Sequence, residues 1–208
     1  MLSNFVQDIE NDYEIKGVLG KGAFGIVSEA FRKKDGLHCA IKKQIAASMK
    51  SEDQKYLLRE LGILAQVRHP NCLQLIGFTL NPAPIIVTPY MAHGTLEDAL
   101  KAKFTRDPKY AGFDQTKRMC SLYGICSAMA YLHSLSILHR DFKPANIFLN
   151  DDFDVVIADF GLSRSVQENV GMTLNIGSPL FMAPELFTDD YDTVTNALDV
   201  YAFGVTLL

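Results

Sequence analysis

The sequence lacks any marked excess of charge. Its 208 residues carry 20 Lys and Arg against 24 Asp and Glu, a net charge of −4. Binding to nucleic acid or to an anionic membrane needs clustered cations, and this near-neutral chain supplies no such footprint. The polar bias of a disordered chain is missing as well, since 48% of the residues are hydrophobic and 21% charged. That balance suits a soluble domain with a buried core. The four cysteines (Cys39, Cys72, Cys120, Cys126) form no C-x-x-C pair and show no metal-ligand spacing with the five histidines. Reduced thiols inside a cell are expected, with neither a disulfide framework nor a zinc site. The opening MLSNFVQDIE has no basic n-region and no apolar h-region. No later stretch approaches the roughly 18 apolar residues of a membrane span. A cytoplasmic location, no membrane span and no nucleic-acid partner are therefore expected. Repeats and low-complexity tracts are also missing. At the other end, VYAFGVTLL (Val200 to Leu208) runs apolar to the last residue without a polar cap or a Gly/Pro stop.

What is present divides into two halves. β-branched and aromatic residues recur in short runs over Tyr13 to Leu19, Gly25 to Phe31, Leu37 to Lys43, Leu73 to Phe78 and Ile85 to Thr88, predicting a small five-strand sheet. Asp35-Gly36 between the second and third runs is a hairpin signal. Leu57, Leu61 and Leu64 repeat at helical spacing within Glu52 to Val67, and His69-Pro70 stops that segment. After Gly94 the pattern turns mainly helical. Met119, Leu122, Tyr123, Cys126, Ala130 and His133 fall on one stripe of a long helix predicted from Asp114 to Ser134. Ile147 to Leu149 and Val155 to Ala158 flank the turn Asn150-Asp151-Asp152 as a short hairpin.

Gly20, Gly22 and Gly25 form a G-x-G-x-x-G. Alone it fits a dinucleotide-binding turn, a loop covering phosphates or an ordinary glycine-rich hairpin. The dinucleotide reading needs a helix next and an acidic residue about 20 positions on. Here a strand follows, and Lys42 stands at that distance, a cation suited to phosphate rather than to a ribose diol. Phe24 can close the loop tip. Alternation puts Lys42 on the same side of its strand as Ala40, and Glu60, on the following helix with Leu64 a turn further along the same face, can pair with it. Further on stand HRDFKPAN (His139 to Asn146), IADFG (Ile157 to Gly161) and APE (Ala183 to Glu185).

In this order the motifs resemble the eukaryotic protein kinase family, over Tyr13 to Leu208. The resemblance implies an α+β, bilobal fold: an N-terminal extension (1–12), then a kinase domain (13–208). That domain would comprise an N-lobe (13–88) with a five-stranded antiparallel sheet and one C helix, a hinge (89–94), and a mainly helical partial C-lobe (95–208) cut off within its central helix. It implies ATP and Mg²⁺ as cofactors. Gly20, Gly22 and Gly25 would cover the phosphates, and Lys42, held by Glu60, would contact the α and β phosphates. Asp159 and Asn146 would hold Mg²⁺. Asp141 would accept the proton of the substrate hydroxyl, and Lys143 would stabilise the transferring phosphoryl group. In the hinge, Thr88 takes the gatekeeper position, the Pro89 carbonyl would accept from the adenine amine, and the Met91 N–H would donate to the ring. Pro89 replaces the usual acidic residue but keeps the carbonyl. Leu19, Val27 and Ala40 would wall the base.

Lys143 and Gly177-Ser178-Pro179 resemble serine/threonine kinases, while Thr88-Pro89-Tyr90-Met91 and Asp199 to Gly204 look like the tyrosine-kinase-like group. Both fit a tyrosine-kinase-like enzyme acting on Ser or Thr of protein substrates, with Ser178 lining the pocket for the residue after the phosphoacceptor. Arg140 is the family's receptor for an activation-loop phosphate. Thr173 is the first candidate acceptor for an upstream activating kinase, with Ser163 and Ser165 behind it. An inactive nucleotide-binding pseudokinase or scaffold is the alternative, although Lys42, Asp141 and Asp159, one of which a pseudokinase usually lacks, are all present. Asp199 would bond the catalytic-loop backbone. The arginine that pairs with the A-P-E glutamate in the family is absent, so Glu185 is expected without a counter-charge. The chain is expected to be a fragment of a longer kinase, poorly stable and weakly active on its own.

Overall fold

The computed structural model describes residues 2–22, 25–44, 51–165, 178–187 and 195–207. The chain divides into two compact units, residues 1–68 with 73–91 and residues 69–72 with 92–208.

The first unit is built on an antiparallel sheet of β1 (Tyr13–Gly22), β2 (Gly25–Arg32), β3 (His38–Lys43), β4 (Gly77–Thr79) and β5 (Ile85–Pro89), in the order β1-β2-β3-β5-β4. Cross-strand register decides which side chains share a face. Ala30 pairs with Cys39 and Ile41 with Val87, and these side chains, with Ile85, pack on Ile9 and Tyr13 to form the core. Alternation sends the next residues the other way, so Val27, Glu29, His38, Ala40, Lys42 and Thr88 lie on the opposite face. The Asp35-Gly36 turn closes β2 onto β3. Gly36 has a φ of 72°, its N–H donates to the Arg32 carbonyl at 2.8 Å, and the Asp35 carboxylate accepts two bonds from the Arg32 guanidinium. Helix α2 (Ser51–Gln66) buries Leu57, Leu61 and Leu64, the three leucines of the helical repeat.

One expectation is corrected in this unit. β4 covers Gly77–Thr79 instead of starting at Leu73: the Ile76 N–H still donates to the Val87 carbonyl of β5, but the Ile76 carbonyl accepts from the Gln7 side chain at 3.1 Å and the Cys72 N–H closes a turn onto the His69 carbonyl. The N-terminal residues make contacts with β4. Val6 bridges Phe78 in parallel, the Gln7 N–H donates to the Phe78 carbonyl, and a Cβ at Gly77 would lie 2.4 Å from the Gln7 side chain. Helix α1 (Ile9–Asp12), capped by Asp8, then leads into β1.

The second unit contains α3 (Leu96–Thr105), α4 (Gln115–Ser134), the two-residue β6 (Ile137–Leu138), the hairpin of β7 (Ile147–Leu149) and β8 (Val155–Ile157), β9 (Arg164–Ser165) paired with β6, and α5 (Ala197–Thr206). Thr95 and Asp98 form a reciprocal capping box at the start of α3, and the Asp114 side chain caps α4. The predicted stripe on α4 is corrected: Met119 is 61% and Tyr123 78% exposed, and Cys126 is exposed too. The buried side carries Ser121, Gly124, Ile125, Ala128, Met129 and Leu132. Small residues allow the close approach that a hydrophobicity pattern does not register, since a Cβ at Gly124 would stand 2.7 Å from Val155 and 2.9 Å from Asn71.

Candidate active site

In the first unit the glycine motif spans the tip of the β1–β2 hairpin. Gly20 pairs with Val27 and Gly22 with Gly25, while residues 23 and 24, including Phe24, lie outside the described residues. Gly25 has a φ of 138°, and a Cβ there would lie 2.2 Å from the Lys43 carbonyl oxygen. Only glycine permits this backbone conformation so close to the end of β3. Val27 stands opposite Lys42, and Ala40 opposite Thr88, so the candidate wall residues and the lysine lie on one face. Leu19, at 46% exposure, is the most open of the candidate walls. The Lys42 ammonium donates to both carboxylate oxygens of Glu60 at 2.8 and 2.9 Å. Glu60 is buried and Lys42 partly so, which strengthens the attraction relative to a solvated pair.

The chain then leaves the sheet through Pro89, Tyr90 and Met91. The Tyr90 N–H donates to the His38 carbonyl at 3.2 Å, making these two a hydrogen-bonded rung. Pro89, opposite Cys39, therefore directs its nitrogen away from β3 and removes no bond from that ladder. Among the described residues, the Met91 N–H has no hydrogen-bond acceptor.

In the second unit the loop His139–Asn146 is held from below by Asp199 of α5. One Asp199 oxygen accepts from the His139 N–H at 2.8 Å and from His133 Nε2 at 2.9 Å, and the other from the Arg140 N–H at 2.9 Å. Burial works to raise the Asp199 carboxyl, yet the bond from His133, the neighbouring His139 and the two backbone N–H groups outweigh it and hold it below the usual carboxylate range. This anchoring supports Arg140 in a left-handed conformation with φ of 68°. It also fixes Asp141, which is 8% exposed.

Four groups converge on Asp141. Lys143 Nζ donates to one carboxylate oxygen at 2.7 Å and Asn146 Nδ2 to the same oxygen at 2.9 Å. The Ser178 hydroxyl and N–H both donate to the other oxygen at 3.0 Å, and that hydroxyl accepts from Lys143 at 2.6 Å. Asn146 Nδ2 also donates to the Asp141 carbonyl, which leaves the amide oxygen of Asn146 available to a cation. Asp159 is exposed and left-handed, with φ of 65°, next to the fully buried Phe160. Among the described residues no three His, Cys, Asp or Glu gather as a metal cage. The Asp159 carboxylate and the Asn146 amide oxygen are hard donors of the type that Mg²⁺ takes.

Other candidates fare differently. Ser163 is fully buried, with its hydroxyl donating to the His139 carbonyl at 3.1 Å, which removes it as an accessible phosphoacceptor. Thr173 lies outside the described residues. His133 also supports the loop, through its bond to Asp199. Its place on the apolar stripe of α4 concealed its role, and no local pattern links it to Asp199, 66 residues away.

The family model described as Protein kinase domain matches residues 13–208. The chain belongs to the protein kinase family. Kinases of this family use ATP and Mg²⁺. A probable serine/threonine-protein kinase of Dictyostelium discoideum is 35% identical over 98% of this chain and 22% of its own length. The serine/threonine-protein kinase CTR1 of Arabidopsis thaliana is 32% identical over 94% of the chain and 23% of its own length. The tyrosine-protein kinase receptor TYRO3 of Xenopus tropicalis is 34% identical over 95% and 24%. The chain thus spans under a quarter of these relatives, and its kinase match begins at the first residue of β1. No helix among the described residues is long and apolar enough to cross a membrane.

Proposed function

We propose that the protein is an ATP-dependent protein kinase that transfers the γ-phosphate of ATP to Ser and Thr hydroxyls of cytoplasmic protein substrates in signal transduction. The observation that carries this reading is the closed set of bonds around Asp141. A carboxylate held at both oxygens has one orientation, as a group that must meet a hydroxyl proton requires. Lys143 beside it supplies a cation for the charge of the transferring phosphoryl group. Ser178 tied to both Asp141 and Lys143 favours a Ser/Thr acceptor, since it brings the segment before A-P-E close to the base.

On the sheet face, Lys42 oriented by Glu60 would meet the α and β phosphates, and Gly20, Gly22 and Gly25 would cover them with backbone. Leu19, Val27, Ala40 and Thr88 would enclose the base, with the Pro89 carbonyl and the Met91 N–H as its polar partners. Asp159 and Asn146 would hold Mg²⁺, which supplies charge neutralisation on the phosphates when bound. Arg140 would receive a phosphate placed on Thr173 by an upstream kinase.

Incubation with radiolabelled ATP, Mg²⁺ and parallel Ser/Thr and Tyr peptide mixtures tests the reading. Label on the Ser/Thr mixture with wild type, lost in Asp141→Asn and Lys42→Met, is expected. Label on tyrosine would overturn the specificity, and equal signal from all three proteins would overturn the enzyme, leaving a nucleotide-binding scaffold.

A further inference from the structure

The face of the sheet that carries Val27, Ala40, Lys42 and Thr88 ends, on the side where the chain leaves β5, in a column of three rings. The His38 imidazole stacks on Phe31 with centroids 4.4 Å apart and planes 8° from parallel. Its other side stacks on Tyr90 at 3.9 Å and 20°. Register explains the column: Phe31 and His38 are directly paired across β2 and β3, and Tyr90 makes the adjoining rung to the His38 carbonyl. His38 Nε2 lies 2.7 Å from Glu29 Oε1, two residues along β2 on the same face, which fixes the ring's rotation. His38 is thus held by a ring on either side, a carboxylate at its edge and its own backbone.

We propose that His38 is a positioning residue for nucleotide binding, acting through Tyr90 to fix the backbone of Pro89 and Met91. The Tyr90–His38 hydrogen bond is the last rung before the chain leaves the sheet. End rungs fray unless side chains brace them. Here the brace is the imidazole, whose loss leaves Tyr90 without a stacking partner and Phe31 with one face bare. The residue immediately after Tyr90 presents the N–H assigned to the adenine ring, so its direction follows the tyrosine's. The inference rests on the proposed reading of 88–91 as the segment that binds the base.

The test is nucleotide affinity by titration with a fluorescent ATP analogue and Mg²⁺, with kcat and KM for ATP and for peptide measured in parallel. His38→Ala is expected to raise the ATP Kd and KM about five- to tenfold, the size of one lost ring contact. kcat and the peptide KM should stay within twofold. His38→Phe, which keeps both stacks and gives up the Glu29 contact, is expected to restore most of the affinity. Thermal melts separate folding from positioning. An unchanged ATP KM in His38→Ala, or a fall in kcat that tracks a lost melting transition, would overturn the proposal. Failure of wild type to bind the analogue would overturn the nucleotide reading beneath it, a result distinguishable from the first because it appears before any substitution.

Discussion

Lys42–Glu60 in the first unit and the loop around Asp141 in the second hold their charged groups in contrasting ways. The lysine is aimed by strand register and met by one carboxylate, an arrangement of two side chains on two elements. Asp141 has three side chains and a backbone N–H on its own oxygens, and its loop hangs from a buried carboxylate on a helix about sixty residues further along the chain. Removing Glu60 leaves a lysine that water can reach. Removing one member of the loop strands several buried polar groups at once. Damage should therefore be graded in the first unit and abrupt in the second.

The largest expected effect is on Asp141. Asp141→Asn should lower kcat about 10²- to 10⁴-fold with little change in ATP KM, measured by steady-state phosphorylation. Next is the support beneath it. Asp199→Ala leaves His133 and the His139 and Arg140 N–H groups without their shared acceptor, and should destabilise the second unit by about 3–5 kcal/mol in urea unfolding. The sign with pH follows from the lowered carboxyl. Its contribution to stability is complete above the unfolded-state value near 4 and is lost as pH falls through the lower folded value. Stability measured from pH 6 down to pH 2 should fall along that limb in wild type and stay flatter in Asp199→Asn.

In the first unit, Glu60→Gln should raise ATP KM about tenfold while the protein still melts normally, because a neutral amide still accepts a hydrogen bond from Lys42. If it instead abolishes folding, the contrast between graded and abrupt damage fails. The smallest change is a gain. A Cβ at Gly62 of α2 meets nothing within 4 Å, so Gly62→Ala should stabilise the unit by up to about 1 kcal/mol through helix propensity alone. A loss of stability on calorimetry would mean that the glycine is needed for something other than the static packing.

Much of this was legible from residue order. The runs that became β1, β2, β3 and β5, the leucine repeat of α2 and the long helix α4 follow from periodicities of two and 3.6 that backbone geometry imposes. The pairing of Lys42 with Glu60 was readable because each sits on a regular element. Legibility failed where packing depends on size or on distant partners. The apolar stripe on α4 faces outward because small residues on the opposite side allow closer contact. The late start of β4 goes with the Gln7 side chain, some seventy residues away in sequence, which takes the Ile76 carbonyl.

By itself the sequence determined the elements, the family and the chemical inventory, since these depend on local spacing and residue type. Tertiary structure alone decided that His133 joins Asp199, that Ser178 closes on Asp141 and Lys143, that Ser163 is sealed inside, and that His38 lies between Phe31 and Tyr90. These contacts join residues up to 66 positions apart in the chain, and no local energy term selects them. They form when burial brings polar groups and rings to the same place and each must find a partner there.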